Sequence, residues 1–160
     1  MCIRDRVSNS FDIKRVPFND YDAVIVSDYN KGYLTYDDLE KISESHPLTF
    51  IDTKKPINDK MKGYSFIKIN EWEWEQCKDA KYEDWTDKLI VTMSERGAMY
   101  NGITYPVNND IEVRDLSGAG DTFMASLVIE YLKTNNITKA IKYANECATK
   151  VVQKKGVVTL

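Results

Sequence analysis

The residues best suited to chemistry in this sequence are Asp115, Leu116, Ser117, Gly118, Ala119, Gly120, Asp121 and Thr122. Gly118, Ala119 and Gly120 stand where a loop runs into an amphipathic helix. With no bulky side chains there, backbone N–H groups at the helix start can come close to an anion, and the helix dipole adds to the attraction. Asp121 falls in the first turn, beside that anion hole. A carboxylate repels phosphate, so it is poorly chosen for binding alone. It makes sense as a base that takes a proton from a hydroxyl attacking phosphorus. The plainer alternative is a tight turn at the two glycines, with Asp121 stabilising the helix start. The segment is not a Walker A loop, since Gly-Lys-Ser/Thr is missing. Nor is it a dinucleotide fingerprint, since it comes late in the chain and lacks the third glycine.

Such a loop needs a scaffold, and the hydrophobic pattern supplies one. Residues 21–27, 48–53, 65–70 and 88–94 read as strands, the first as a buried strand of a parallel sheet. Thr35 caps a predicted helix to about Ser45, with Leu39 and Ile42 inward and Pro47 beyond its end. Residues 71–77 begin a short helix. Gly97 and Gly102 bracket 98–101, and with 103–107 this predicts a β-hairpin near a sheet edge, Pro106 at its margin. Residues 111–113 read as one more short strand. Phe123, Leu127, Val128, Tyr131 and Leu132 lie at helical spacing, and Asn135-Asn136 breaks the run. Thr138 is expected to cap a last helix, with Ile141, Ala144, Cys147 and Val151 as its apolar stripe and Gly156 at its end. Alternating strands and helices predict an α/β layered sheet in a single domain.

Composition narrows the function classes. Hydrophobic residues at 42% and charged residues at 29% permit a packed core and argue against disorder. A net charge of -3 and a pI near 5.3 argue against a general nucleic-acid binder. No apolar run is long enough to span a bilayer. Cys2, Cys77 and Cys147 form neither a disulfide framework nor a zinc pattern, which points to a reducing, cytoplasmic setting. His46 is the lone histidine, against a multi-histidine metal site. Residues 1–6 fit no element and are set aside from fold reasoning.

From Asp115 to Gly156 the chain resembles the C-terminal signature region of the ribokinase-like (PfkB) carbohydrate kinases, whose hallmark is an Asp, two variable residues, then Gly-Ala-Gly-Asp opening a helix. Asn70-Glu71-Trp72-Glu73 is similar to the family's Asn-x-x-Glu motif. Thr92 to Gly97 is similar to its nucleotide-binding strand and turn. Ala144-Asn145, Ala148, Val151-Val152, Lys155 and Gly156 are similar to its final helix. Ser27-Asp28-Tyr29-Asn30-Lys31-Gly32-Tyr33-Leu34 and Asp52-Thr53-Lys54 resemble the heptose-7-phosphate kinase branch most. The resemblance implies the ribokinase-like α/β/α fold and ATP-dependent transfer of a phosphoryl group to a hydroxyl of a sugar or sugar phosphate.

It also implies roles. Asp121 is the catalytic base, and the amides of Gly118, Ala119 and Gly120 hold charge developing on the transferred group. Asn70 and Glu73 act near Mg²⁺ and the ATP phosphates through water. Thr92, Ser94 and Gly97 line the nucleotide site, and Asn145 lies near the adenine. Asp115 and Ser117 stand where some members bind a monovalent cation. Bland alternatives stand beside these: Asn70 and Glu73 as a capping box, Thr92 and Ser94 as ordinary strand-end residues, Asn145 as a helix-surface amide. Asp28 and Lys31 read equally well as a solvated turn or a substrate contact, and Lys54-Lys55 reads more readily as an exposed basic pair than as a lysine reaching phosphate. Trp72, Trp74 and Trp85 read as packing or surface aromatics.

Complete members of the family are considerably longer. Their N-terminal half carries a Gly-Gly signature, most sugar contacts and a β-sheet lid that often dimerises. The chain is therefore expected to be the C-terminal, nucleotide-binding part of a kinase and to be inactive in isolation. Residues 73–89 look shorter than in relatives, and Leu116 replaces a smaller or β-branched residue. The expected partner is a small sugar or sugar phosphate, with no nucleic acid or membrane, and a homodimer is compatible with the full-length protein. The alternatives are a vitamin or nucleoside kinase of the same fold and a non-catalytic nucleotide-binding module.

Overall fold

The structure, a computed structural model, describes residues 12–77, 80–107 and 118–153. Four strands, β1 (Val24–Asp28), β2 (Thr49–Thr53), β3 (Phe66–Asn70) and β4 (Leu89–Thr92), lie side by side in chain order and parallel. β5 (Ala98–Tyr100) and β6 (Ile103–Tyr105) extend the sheet as an antiparallel hairpin. Its turn places Asn101 at φ 50° and Gly102 at φ 71°. Two left-handed residues in succession match the twist of a two-residue hairpin, which is why Asn-Gly suits the turn.

Helix α1 (Tyr36–Glu44) connects β1 to β2 and starts at the expected cap. Thr35 Oγ1 accepts from the Asp38 N–H, and the Asp38 carboxylate accepts from the Thr35 N–H. α1 lies on one face of the sheet, where Leu39 and Ile42 meet Val26, Ile51, Ile67, Leu89 and Val91. A short helix, α2 (Glu71–Glu75), follows β3 directly. α3 (Ala119–Thr134) and α4 (Ile137–Val152) cover the other face, with Phe123, Leu127, Ile141 and Ala144 on Phe50, Phe66 and Ile90. The result is an α/β/α sandwich. Phe50 and Phe66 stack at 5.4 Å, and Tyr131 of α3 meets both rings edge-on. Phe50, Ile51 and Ile67 are fully buried. At about 1.5–3 kcal/mol per large apolar side chain, the sheet centre is where the fold gains most.

Four details differ from the sequence reading. The first strand is an edge strand among the described residues and only half-buried: Val26 faces the α1 side, while Ile25, on the α3 side, is 46% exposed. Two 3-10 turns, Ile13–Arg15 and Phe18–Asp20, precede it without a sequence signal. The last helix begins before Thr138. Asn135, left-handed at φ 48°, closes α3, and the Asn136 side chain accepts from the Lys139 N–H to cap α4, so one asparagine pair serves both helix ends. Lys55 is no exposed partner of Lys54: it is buried and ion-paired to Asp28. The predicted strand at 111–113, together with Leu116 and Gly156, lies outside the described residues. Among the described residues, no helix is long and apolar enough to cross a membrane.

Candidate active site

Parallel strands end at the same edge of a sheet, and ligands of α/β folds gather there. Here that edge and the start of α3 enclose a cavity of about 990 Å³. Gly118, Ala119, Gly120 and Asp121 line it, as do Asn70, Thr92, Ser94, Gly97 and Asn145, so nine of the site residues expected from sequence share one chamber. Glu73 does not line it, and Asp115 and Ser117 lie outside the described residues.

α3 opens on the chamber without a side-chain cap. Gly118 is its N-cap at φ 77°, a conformation that suits glycine, and among the described residues no side chain accepts from the first-turn amides. Those N–H groups have no partner within the helix, and they carry its positive end. Directly beside them is Lys68. A Cβ on Gly120 would stand 3.0 Å from Lys68 Nζ, so glycine there makes room for the ammonium. Lys68 and its cross-strand neighbour Asp52 form an ion pair at 2.8 Å with side chains 7% and 14% exposed. Burial pushes the Asp52 carboxyl up, and the nearby Lys68 charge pulls it only part of the way back. A lysine at the positive end of a helix is electrostatically costly by itself, and a polyanion placed between the two would offset that cost.

The rest of the chamber is held by specific contacts. Asn70 and Glu73 form a capping box for α2: Asn70 Oδ1 accepts from the Glu73 N–H, and Glu73 Oε2 accepts from the Asn70 N–H, each at 2.7 Å. Glu73 Oε1 takes Lys54 Nζ at 2.8 Å, and that bond holds the Lys54 ammonium above its ordinary pKa. Both carboxylate oxygens of Glu73 are therefore engaged within the protein. No cluster of three or more His, Cys, Asp or Glu that could hold a metal ion occurs among the described residues. Thr92 Oγ1 bonds the Ile69 carbonyl, and Ser94 sits left-handed at φ 50° in the turn after β4. Gly97, at φ 88°, touches the end of β6: a Cβ there would lie 2.1 Å from the Tyr105 carbonyl oxygen. Buried Asn145 of α4 donates to that same carbonyl at 2.8 Å. It is a wall of the chamber, not a helix-surface amide.

Beside the start of α3, Tyr29 Oη donates to both carboxylate oxygens of Asp121, at 3.0 and 3.2 Å. Asp28 is no solvated turn residue. It is 6% exposed and accepts from Lys55 Nζ, Thr53 Oγ1 and the Asn30 N–H. Lys31 is exposed. Of the aromatics, Trp85 is buried, Trp74 packs edge-on to Tyr82, and Trp72 is exposed. Sequence reasoning missed Lys68, although a lysine inside the apolar strand Phe66–Asn70 was a usable signal. A buried lysine requires a charged partner and a reason.

Residues 44–160 match the pfkB family of carbohydrate kinases. The bifunctional protein HldE of Helicobacter acinonychis is 30% identical over 174 residues, covering 95% of this chain and 38% of that protein. HldE of a Nitratiruptor species is 34% identical, covering 98% of this chain and 37% of its own length. Among solved structures, the ribokinase of Thermotoga maritima superposes with a TM-score of 0.71 at 15% identity, over 89% of this chain and 55% of that one. A Burkholderia thailandensis nucleoside kinase in complex with inosine gives 0.67 at 18% identity, over 86% and 50%. The sandwich is thus ribokinase-like, and the chain spans well under half the length of these curated relatives.

Proposed function

The chain belongs to the pfkB family of carbohydrate kinases, and from that premise we propose that it is the nucleotide-binding, base-bearing part of a longer ATP-dependent phosphotransferase. Its acceptor is a hydroxyl of a sugar or sugar phosphate. A heptose 7-phosphate is the acceptor favoured by the resemblance of residues 27–34 and 52–54 to that branch. One observation carries the reading: a helix N-terminus opened by Gly118, the buried Lys68 ammonium and the Asp121 carboxylate face one chamber at the strand ends.

In this reading Asp121 accepts the proton of the attacking hydroxyl. The new O–P bond forms as the bond from the γ-phosphorus to the bridging oxygen of ADP breaks. The first-turn amides of α3 and Lys68 meet the charge on the transferred group. Thr92, Ser94, Gly97 and Asn145 form the nucleotide wall. Magnesium would supply charge neutralisation on the phosphates. Because Glu73 is bonded to Lys54 and to the Asn70 amide, Asn70 and Glu73 suit contacts through retained water better than direct ligation. A monovalent cation at Asp115 and Ser117 remains the family-based expectation.

The test is Asp121→Asn in the full-length kinase, which keeps size and removes the base. A positioned base contributes about 10²- to 10⁴-fold. Coupled assays on a sugar and sugar-phosphate panel are expected to show kcat lower by at least about a hundredfold, with ATP affinity by calorimetry little changed. Because closure over substrate completes such sites, the 160-residue chain alone is expected to bind ATP weakly and turn over no sugar. Near-normal kcat in Asp121→Asn leaves Asp121 as a helix-start residue and removes the catalytic assignment.

A further inference from the structure

We propose that Tyr29 is the positioning residue for the base: its hydroxyl, held across the chamber from the end of β1, sets the orientation of the Asp121 carboxylate. The inference rests on the kinase reading above and deepens it.

Tyr29 and Asp121 are 92 residues apart in sequence, and the bond joins the first strand of the sheet to the first turn of α3. The hydroxyl reaches both carboxylate oxygens, which fixes the plane and rotation of the group more tightly than a bond to one. A carboxylate offers about four lone-pair sites, so an acceptor hydroxyl can still bond to it. An ordinary phenol is already protonated at neutral pH, so the hydroxyl is a donor there, and the hydrogen bond to Asp121 together with its charge raises the phenol's pKa further.

The tyrosine is itself prearranged. The preceding residue, Asp28, is buried and anchored through three bonds, one of them the 2.7 Å ion pair to Lys55. Lys54 Nζ lies 5.6 Å from the centre of the Tyr29 ring while bonded to Glu73. The base is thereby tied through Tyr29 and Lys54 to the Asn-x-x-Glu element that follows β3. Reacting groups lose rate steeply when misplaced by about an ångström, so such a strut has a kinetic consequence.

Tyr29→Phe in the full-length kinase keeps the ring under Lys54 and removes only the hydroxyl. Expected is a kcat at least about tenfold lower, with the KM values for acceptor and ATP within about twofold. The same substitution in the Asp121→Asn background is expected to cause little further loss, since there is no base left to orient. In the 160-residue chain, carbon-13 NMR of ring-labelled tyrosine, with Tyr29 assigned by its absence in Tyr29→Phe, is expected to show a raised phenol titration. That titration should fall toward the ordinary value in Asp121→Asn. A kcat within twofold of wild type overturns the proposal. So does a fall in acceptor KM, which would make Tyr29 a mere occupant of the acceptor's place, or an equal loss in both backgrounds, or a Tyr29 titration indifferent to Asp121. A wild-type full-length protein without phosphotransferase activity overturns the kinase reading and this one with it; intact wild-type activity with an unaffected Tyr29→Phe overturns this one alone.

Discussion

Lys55→Met should be among the most damaging single changes in this chain, and its cost can be worked from the contacts. Lys55 Nζ and Asp28 Oδ2 are 2.7 Å apart with side chains 8% and 5% exposed. Methionine retains most of the volume and none of the charge. It leaves a buried carboxylate whose remaining donors are Thr53 Oγ1 at 3.1 Å and the Asn30 N–H at 3.0 Å, both neutral. Breaking a buried pair costs about 3–5 kcal/mol, because the surviving charge cannot be resolvated. Two donors still hold Asp28, which places the expected loss near the lower end, about 3 kcal/mol. With a urea dependence of about 2 kcal/mol per molar, the midpoint falls by about 1.5 M. Trp85, only 3% exposed, supplies the fluorescence signal for urea titration of the 160-residue chain. The matching double variant Asp28→Asn/Lys55→Met removes both charges and should recover much of the loss, giving a large coupling in the mutant cycle. A cost below about 1 kcal/mol, or an equal cost in the Asp28→Asn background, refutes the reasoning.

Gly97→Ala is expected to destabilise by at least about 2 kcal/mol, adding left-handed strain to overlap with the β6 end. The added Cβ would meet the Tyr105 carbonyl oxygen at 2.1 Å, and an unchanged melting temperature would contradict this. The capping box of α1 should be sensitive to acid. Hydrogen bonds from the Thr35 hydroxyl and amide hold the Asp38 carboxyl below its ordinary value, so its stabilisation is present above the unfolded pKa of about 4 and is lost as pH falls through the lower folded value. Amide exchange at the start of α1 should quicken across that window, and Asp38→Asn should remove the pH dependence.

Much of the fold was legible because its signals are local. Thr35 followed three residues later by Asp38 specifies a helix start from within one turn, and Asn101-Gly102 specifies a hairpin from two residues. The apolar runs at β2, β3 and β4 could not be mistaken, since each is bounded by polar residues and buried on both faces of the sheet. The first strand misled because its run of apolar residues looks the same whether one face is covered or two. In the site, the Gly118 to Asp121 loop was legible because a loop entering a helix is also local. Lys68 with Asp52, Asp28 with Lys55 and Tyr29 with Asp121 were not. Each pair is separated in sequence by 16 to 92 residues and meets only through strand register or the placement of α3. Glu73 shows the converse: the motif was visible, but the capping box and Lys54 decide where its carboxylate points.

The two sides of the chamber are built from different forces. On the wall formed by Gly97 and Asn145, the Tyr105 carbonyl is gripped by the Asn145 amide and pressed by the Gly97 backbone, a buried contact between neutral groups. On the opposite rim the Tyr29 loop leans on Lys54, whose ammonium is half-exposed and bound to a carboxylate. Mobile ions screen the second kind of contact over a distance of about 10 Å at 0.1 M salt and leave the first nearly untouched. Ionic strength therefore acts on one half of the chamber: added salt softens the rim that carries the Tyr29 strut while the Gly97–Asn145 wall keeps its shape.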